Sequence, residues 1–314
     1  MVTGIFAGIM WALETVILDL ALNMSPLIET EQAIFLAPFA ATFFHDAFSA
    51  LLMLIYNAIR GNLKKLSAFL KTKNFWFLVL ASAIGGPVGM TGYVMAVKFM
   101  GASVGAVASA VYPAVGTALA FFFLKEKVKW YQWLFLAAAL FGVYGLSYSP
   151  SLNVTNVFLG LLGAVMCALG WGIEAVILAK CLKAPELKSE TALWIRQSVS
   201  CIVYGFLILP AIGGTGFAAG LLREGTGAVL PTIFLAALCA SLSYLCYYRT
   251  IAKVGASKAM ALNITYTAWA IVFTVILLKD TRVLNPLTLI CAGIVVVCGI
   301  LAATDFRALF SGKG

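Results

Sequence analysis

Two carboxylates stand where a carboxylate is hardest to keep: Glu14 and Glu174 lie inside strongly apolar runs, each three residues after a tryptophan. An ionisable group at the centre of a hydrocarbon layer costs roughly 2.5 kcal/mol or more, so it needs a partner, a cavity or a task. On a helix this spacing puts Trp11 with Glu14, and Trp171 with Glu174, on one face. An acid beside an indole is the chemistry of a cation site. The carboxylate neutralises charge, and the ring offers a π face contributing about 0.5–2 kcal/mol. The alternative is a structural role, with a neutral carboxyl hydrogen-bonded between helices.

Further aromatic residues could complete a box. Tyr93 and Tyr247 occupy corresponding places in two halves of the chain, as do Tyr112 and Tyr266, and Trp269 lies three residues past Tyr266. An aromatic cage suits a quaternary ammonium, which has no N–H to satisfy and is readily desolvated. A single tyrosine reads otherwise as core or interfacial belt. His45 beside Asp46 could relay protons, and Arg196 beside Gln197 could pair with a buried acid. Glu14, His45, Asp46 and Arg196 are therefore candidates for proton coupling or gating. Gly86 and Pro87, within Gly85-Gly86-Pro87-Val88-Gly89, and Pro113, directly after Tyr112, read as hinges or site lining. Proline removes a backbone hydrogen bond, and glycine admits a close neighbour. The stripe Gly101, Gly105, Ser109 reads as tight helix packing.

What must carry these residues is a set of membrane-spanning helices. The composition is 63% hydrophobic and 11% charged, with mean hydropathy +1.03, which excludes an ordinary soluble domain. Apolar runs at 2–22, 33–59, 75–97, 102–124, 131–148, 157–180, 190–212, 229–250, 256–278 and 286–305 predict ten crossings of an all-α integral membrane protein. With a cytoplasmic N-terminus, 16 of the 21 Lys and Arg residues fall in inside loops and 4 in outside loops, Arg196 being left within the seventh run. That asymmetry places both termini in the cytoplasm and explains the net charge of +9 without a nucleic acid partner. The first run has no basic leader and carries Trp11 and Glu14, so it reads as a retained helix rather than a cleaved signal peptide. The seven cysteines lack CxxC spacing and read as buried thiols.

Two internal matches indicate a duplication. Trp11-Ala12-Leu13-Glu14-Thr15-Val16-Ile17-Leu18 matches Trp171-Gly172-Ile173-Glu174-Ala175-Val176-Ile177-Leu178. Gly101-Ala102-Ser103 through Leu124-Lys125-Glu126 matches Gly255-Ala256-Ser257 through Leu278-Lys279-Asp280. The organisation expected is a five-helix repeat over 1–148, an extracellular linker at 149–156, a second repeat over 157–305 and a cytoplasmic tail at 306–314. An odd helix number per repeat inverts the second copy, the arrangement of alternating-access carriers with a midplane site. The first, third, fourth, sixth, eighth and ninth runs are expected to line that cavity. No phosphate-cradling loop, metal-ligand spacing or nucleophile elbow appears. Neither a cofactor nor an enzymatic activity is expected, although His45 and Asp46 would be the one plausible catalytic pair.

The matched repeats, the Gly-Ala-Ser starts and the Lys-acid ends resemble the drug/metabolite transporter superfamily in its ten-helix EamA branch, over nearly the whole chain. Gly86-Pro87-Val88-Gly89-Met90, Ala96-Val97-Lys98, Ala110-Val111-Tyr112-Pro113-Ala114, Phe121-Phe122-Phe123-Leu124-Lys125, Arg196-Gln197, Tyr244-Leu245-Cys246-Tyr247-Tyr248, and Leu262-Asn263 with Tyr266 and Trp269 are similar to its bacterial choline permeases. The resemblance implies choline uptake across the cytoplasmic membrane and a central aromatic site. Trp11 and Trp171 would contribute to it, with Glu174 as its acid and His45-Asp46 in the matching place. Glu14 departs from that pattern, which leaves open another amine, a divalent cation substrate or a proton-coupled cycle. An exporter of amino acids or other metabolites is the alternative that the branch allows, and a non-transporting sensor is a reading from another class. Partners are thus a small cationic substrate and membrane lipid, in a monomer or a dimer.

Overall fold

The computed structural model describes residues 1–100, 102–147, 156–223 and 227–306; most of the expected linker, most of the expected tail and the side chains of the Gly101–Ser109 stripe lie outside the described residues. Helices form wherever apolar residues run long enough to satisfy their own backbone in hydrocarbon. They are α1 (Val2–Leu22), α2 (Glu31–Ile59), α3 (Leu66–Leu70), α4 (Lys73–Ala83), α5 (Gly89–Met100), α6 (Ala102–Phe123), α7 (Trp130–Leu146), α8 (Val157–Cys181), α9 (Ser189–Val203), α10 (Leu209–Ala211), α11 (Thr215–Arg223), α12 (Val229–Val254), α13 (Ala256–Asn263), α14 (Tyr266–Leu278) and α15 (Pro286–Ala303). Starts are set by local chemistry. Thr30, Thr72, Asn156 and Asn285 each accept a hydrogen bond from the amide three residues on, and Pro286 opens α15.

Eight helices are long and apolar enough to cross a membrane among the described residues, and Ala110–Phe123 and Trp130–Leu146 are shorter apolar helices. Large apolar side chains such as Phe123 (74% exposed), Phe141 (71%) and Phe206 (77%) stand on the outer surface, which only a lipid surround makes tolerable. Trp76 and Trp130, near the starts of α4 and α7, are similarly exposed beside lysine-rich turns, as an interfacial belt requires.

Three expected helices are not uninterrupted. α4 passes into α5 through a π-helical turn at Ile84–Val88, and α9 passes into α10 through another at Tyr204–Ile208. The run expected at 256–278 breaks at Ile264 and Thr265 into α13 and α14. α6, by contrast, continues through Pro113. The short α3 and α11 have no counterpart among the expected runs; α11 is held through Ala218 and Leu221, its buried positions.

Packing follows a recurring pattern. α1 lies against α12 as α8 lies against α5, and α1 meets α14 as α8 meets α6. α2 pairs with α9, and α7 with α15. All of these pairings except α7 with α15 help to enclose the centre of the molecule, where the buried polar residues collect. All seven cysteines are free thiols, four buried and three half-buried.

Candidate functional site

Two connected cavities occupy the centre. The inner chamber is lined by Trp11, Tyr112, Trp171, Glu174, Tyr244, Tyr247, Tyr248, Asn263 and Tyr266. The vestibule beside it is lined by Trp11, Glu14, Asp19, His45, Asp46, Gly86, Tyr93, Trp171, Arg196, Tyr244 and Tyr266. Trp11, Trp171, Tyr244 and Tyr266 therefore face both and form the partition between them. α1 starts at the lysine-rich face, where Thr3 Oγ1 lies 3.1 Å from Thr250 Oγ1, and ends beside the vestibule, whose mouth is marked by the exposed Asp19. The inner chamber offers about 40 Å³, where one water needs about 10–15 Å³, and the vestibule about 210 Å³.

The aromatic walls repeat across the two halves. Trp11 meets Tyr266 edge-on at 6.3 Å and 78°, and Trp171 meets Tyr112 edge-on at 5.6 Å and 89°. The second contacts differ: Trp171 stacks on Tyr93 at 6.2 Å, whereas Trp11 packs edge-on against Tyr244 at 4.8 Å, one turn before the expected Tyr247. Tyr247 lines the inner chamber from the side. Trp269, expected in the box, lines neither cavity, and its indole N–H is buried without a hydrogen-bond partner among the described residues.

Glu174 and Glu14 do not act as twins. Glu174 faces the inner chamber, and its Oε1 accepts from Arg196 Nε at 3.0 Å and from Tyr248 Oη at 3.5 Å. Glu14 faces the vestibule, with Oε1 3.6 Å from His45 Nε2 and Oε2 accepting from Thr15 Oγ1 at 3.4 Å. The two acids are joined through one buried string. His45 Nδ1 lies 3.0 Å from Asp46 Oδ1, which is 3.8 Å from Arg196 Nη1. Three carboxyl groups thus meet one guanidinium and one imidazole. His45 Nε2 and Asp46 Oδ2 have no hydrogen-bond partner among the described residues and border the vestibule.

Arg196 is the keystone. It lies two turns into α9, deeper than its place near the start of the seventh run suggests, and is only 4% exposed. Its Nη1 donates to Gln197 Oε1 at 2.6 Å, and its guanidinium stacks 4.9 Å over the Tyr244 ring. Gln197 Nε2 donates to Ser49 Oγ at 3.0 Å, which pairs with Ser241 Oγ at 2.7 Å, tying α9, α2 and α12 together. α2 and α9 consequently line the cavities along with the helices expected to do so.

The glycine-rich run of the third expected crossing also finds its reason here. A Cβ at Gly85 would fall on the Glu174 carboxyl, and one at Gly89 would lie 2.7 Å from Trp171 Cδ1. The π-helical turn and its glycines bring backbone directly against the acid and the indole, so this segment lines the site. Gly85→Ala is expected to displace Glu174 from Arg196 and to lower the melting temperature in detergent, at an overpacking penalty of about 1–3 kcal/mol. A Gly85→Ala protein melting like the unaltered one would remove the close-approach account.

A model of the EamA-like transporter family matches residues 1–148 and 158–304. This chain belongs to the EamA-like transporter family. The EamA-like transporter is 30% identical to protein LicB of Haemophilus influenzae over 216 residues, 69% of this chain and 71% of the relative. A crystal structure at 14% identity superposes with a TM-score of 0.72 over 96% of this chain and 95% of its own, a likeness of fold. The EamA-like transporter is accordingly a multi-pass membrane protein of the drug/metabolite transporter type.

Reading residue types missed several members of the site. Tyr244 and Tyr248 belong to the box along with Tyr247, and Asn263 Nδ2 donates to Tyr112 Oη at 2.9 Å from the last residue of α13. The spacing of Tyr244 and Tyr248, one helical turn apart, was the available signal. Nothing in the sequence pointed to Ser49 and Ser241, whose roles come from the crossing of α2 and α12.

Proposed function

We propose that this EamA-like transporter imports choline or a similar quaternary amine across the cell membrane by alternating access. In this reading the chain crosses ten times, as two inverted five-helix repeats with both termini on the lysine-rich, cytoplasmic side, and the recurring α1–α12 and α8–α5 pairings support it. The observation that carries the substrate class is the inner chamber. Two indoles and five phenols, from Tyr112, Tyr244, Tyr247, Tyr248 and Tyr266, surround Glu174, its one carboxylate. A cation without N–H groups is matched by π faces and a single counter-charge. The similarity of several stretches to choline permeases points the same way.

An amino-acid substrate would need a cation for its carboxylate. Arg196, the deep basic group, lines the vestibule and not the inner chamber, so the exporter alternative has less support. The head group would sit at the partition of Trp11, Trp171, Tyr244 and Tyr266, whose rings must part because the inner chamber holds only a few waters. An inside-negative potential of 100 mV favours entry of one positive charge by about 2.3 kcal/mol, roughly 50-fold accumulation. The Glu14–His45–Asp46 string at the vestibule is the group through which proton movement would couple to the cycle.

The test is uptake of radiolabelled choline into proteoliposomes with and without an imposed potential. Potential-driven uptake is expected, and Trp171→Ala should weaken apparent affinity about 5- to 50-fold through loss of a ring face and its packing. If the unaltered protein shows neither potential-driven uptake nor a choline-induced rise in melting temperature, the choline reading fails. Uptake that Trp171→Ala leaves untouched keeps the substrate but moves the site.

A further inference from the structure

A third cavity lies away from the aromatic box, on the lysine-rich face. It offers about 260 Å³, where one water needs about 10–15 Å³, so it has room for a phosphate together with the group that carries it. Its walls come from both halves of the chain: Thr117 of α6, Glu126 and Lys127 in the turn that follows, Lys258 of α13, and Asp305 just past α15. Among the described residues no aromatic ring lines it, so it is not a stage of the aromatic cation box.

Both acids of the pocket are already answered. Glu126 accepts from the amides of Ala256 at 2.8 Å and Ser257 at 3.1 Å and from Ser257 Oγ at 2.5 Å, and so caps the start of α13. Free amides and the positive end of a helix favour a carboxylate there. Gly255, with φ of 91°, completes that seat, since a Cβ would lie 2.7 Å from Glu126 Oε1. Asp305 accepts from Lys129 Nζ at 2.6 Å. Lys127 and Lys258, by contrast, have no ion-pair partner among the described residues. Counting Lys129, three lysines face two acids, and the balance is positive. The wall also carries a hydroxyl with nothing to bond. Thr117 is only 3% exposed, and its Oγ1 has no hydrogen-bond partner among the described residues. Burying an unpaired hydroxyl is costly, so one that faces a cavity marks a place for a polar ligand atom.

We propose that this pocket binds a phosphate group, with Thr117 Oγ1 donating to one of its oxygens and Lys127 and Lys258 supplying the counter-charge. A phosphomonoester carries about −1.5 to −2 charge at pH 7 and three acceptor oxygens, which matches two ammonium groups and a hydroxyl more fully than a carboxylate does. The phosphate belongs either to a soluble compound or to the head group of an anionic lipid, and the chemistry of recognition is the same. Lys258 stands on α13, whose last residue, Asn263, lines the inner chamber. A phosphate shared by Lys127 and Lys258 therefore ties a chamber-lining helix to the turn after α6. The site is independent of the choline reading.

Inorganic phosphate is the first probe. Replacing chloride at equal ionic strength around the detergent-purified protein, it should show a broadened phosphorus resonance and raise the melting temperature, because a ligand of the folded state stabilises it. Lys258→Gln should weaken this binding about tenfold, and Thr117→Val, which keeps the shape and removes the hydroxyl, about fivefold. Lys183→Gln, in an exposed turn outside the pocket, should leave it unchanged. Each variant is first shown to melt like the unaltered protein in chloride; if Thr117→Val does not, Lys258→Gln, on a half-buried side chain, decides alone. The second probe is phosphatidate added to the same protein, with retained lipid counted by mass spectrometry of the intact complex. A response to phosphate alone assigns the site to soluble compounds, and retention of phosphatidate alone assigns it to lipid head groups; either one, or both, supports the site. No response to either probe, or one that Lys258→Gln leaves intact, overturns it. Neither probe involves choline, so failure of the transport reading leaves this result standing.

Discussion

Arg196→Met is expected to be the most destabilising single change in the molecule, lowering stability by about 3–5 kcal/mol, because it strands the buried Glu174 carboxylate, whose other hydrogen bond comes from the Tyr248 hydroxyl. Arg196 Nε holds Glu174 at 3.0 Å, Nη1 stands 3.8 Å from Asp46, and all three side chains are buried. Gln197 would lose its 2.6 Å donor as well, and through it the link to Ser49 and Ser241 would loosen. The measurement is thermal unfolding in detergent. Arg196→Met combined with Glu174→Gln should recover part of the loss, since removing both members of a buried pair is far milder than removing one. Arg196→Lys should fall between, having charge but no planar fork. A melting temperature for Arg196→Met within a degree or so of the unaltered protein would show that the network is not structural.

Glu174→Gln is expected to give the largest loss of binding. A charge about 5 Å from a bound cation contributes about 3 kcal/mol at an effective dielectric of 20, roughly 100-fold in affinity. The change also frees Arg196 Nε, so the chamber passes from a counter-charge to a nearby unsatisfied cation. Titration calorimetry with choline and with its neutral carbon isostere makes the point cleanly. The unaltered protein should prefer choline strongly, and Glu174→Gln should largely lose that preference while still binding the isostere through the aromatic walls. If Glu174→Gln binds choline within threefold of the unaltered protein, the counter-charge lies in the vestibule, at Glu14 or Asp46.

These two residues also mark how far the chain could be read in advance. Glu174 was visible because a charge within an apolar run is rare and expensive, and Trp171 shares its helix face by simple periodicity. Its relation to Arg196, 22 positions later, depends on the approach of α8 and α9. Glu14 and Glu174 look equivalent along the chain, yet they serve different cavities. The chemical difference lies in neighbours that other helices bring: His45 to one, Arg196 and Tyr248 to the other.

Trp269 failed for the opposite reason. Its spacing from Tyr266 is right for a shared face, but the cavities meet α14 at its first residue, Tyr266, and do not extend to the next turn. A helix interruption inside an apolar run has no composition signal: Thr265 bonds the nearby Leu262 carbonyl, and Asn263 donates its Nδ2 to Tyr112, a partner 151 positions earlier. The π-helical turn at Ile84–Val88 was partly foreshadowed by its glycines and Pro87, whereas the one at Tyr204–Ile208 carries neither glycine-proline pair nor charge to announce it.

The membrane class, the helical segments and their approximate ends, the internal sequence matches and the buried charges are legible along the chain, because hydrophobic length, periodicity and stray charges are properties of residues taken in order. The packing of helices settles which acid meets Arg196, that α2 and α9 join the walls, that Tyr244 rather than Tyr247 faces Trp11, and that Glu126 caps the start of α13. Those are choices among chemically similar partners. They are made by the crossing of helices far apart in sequence, where a rotation of one turn changes which side chain reaches the cavity.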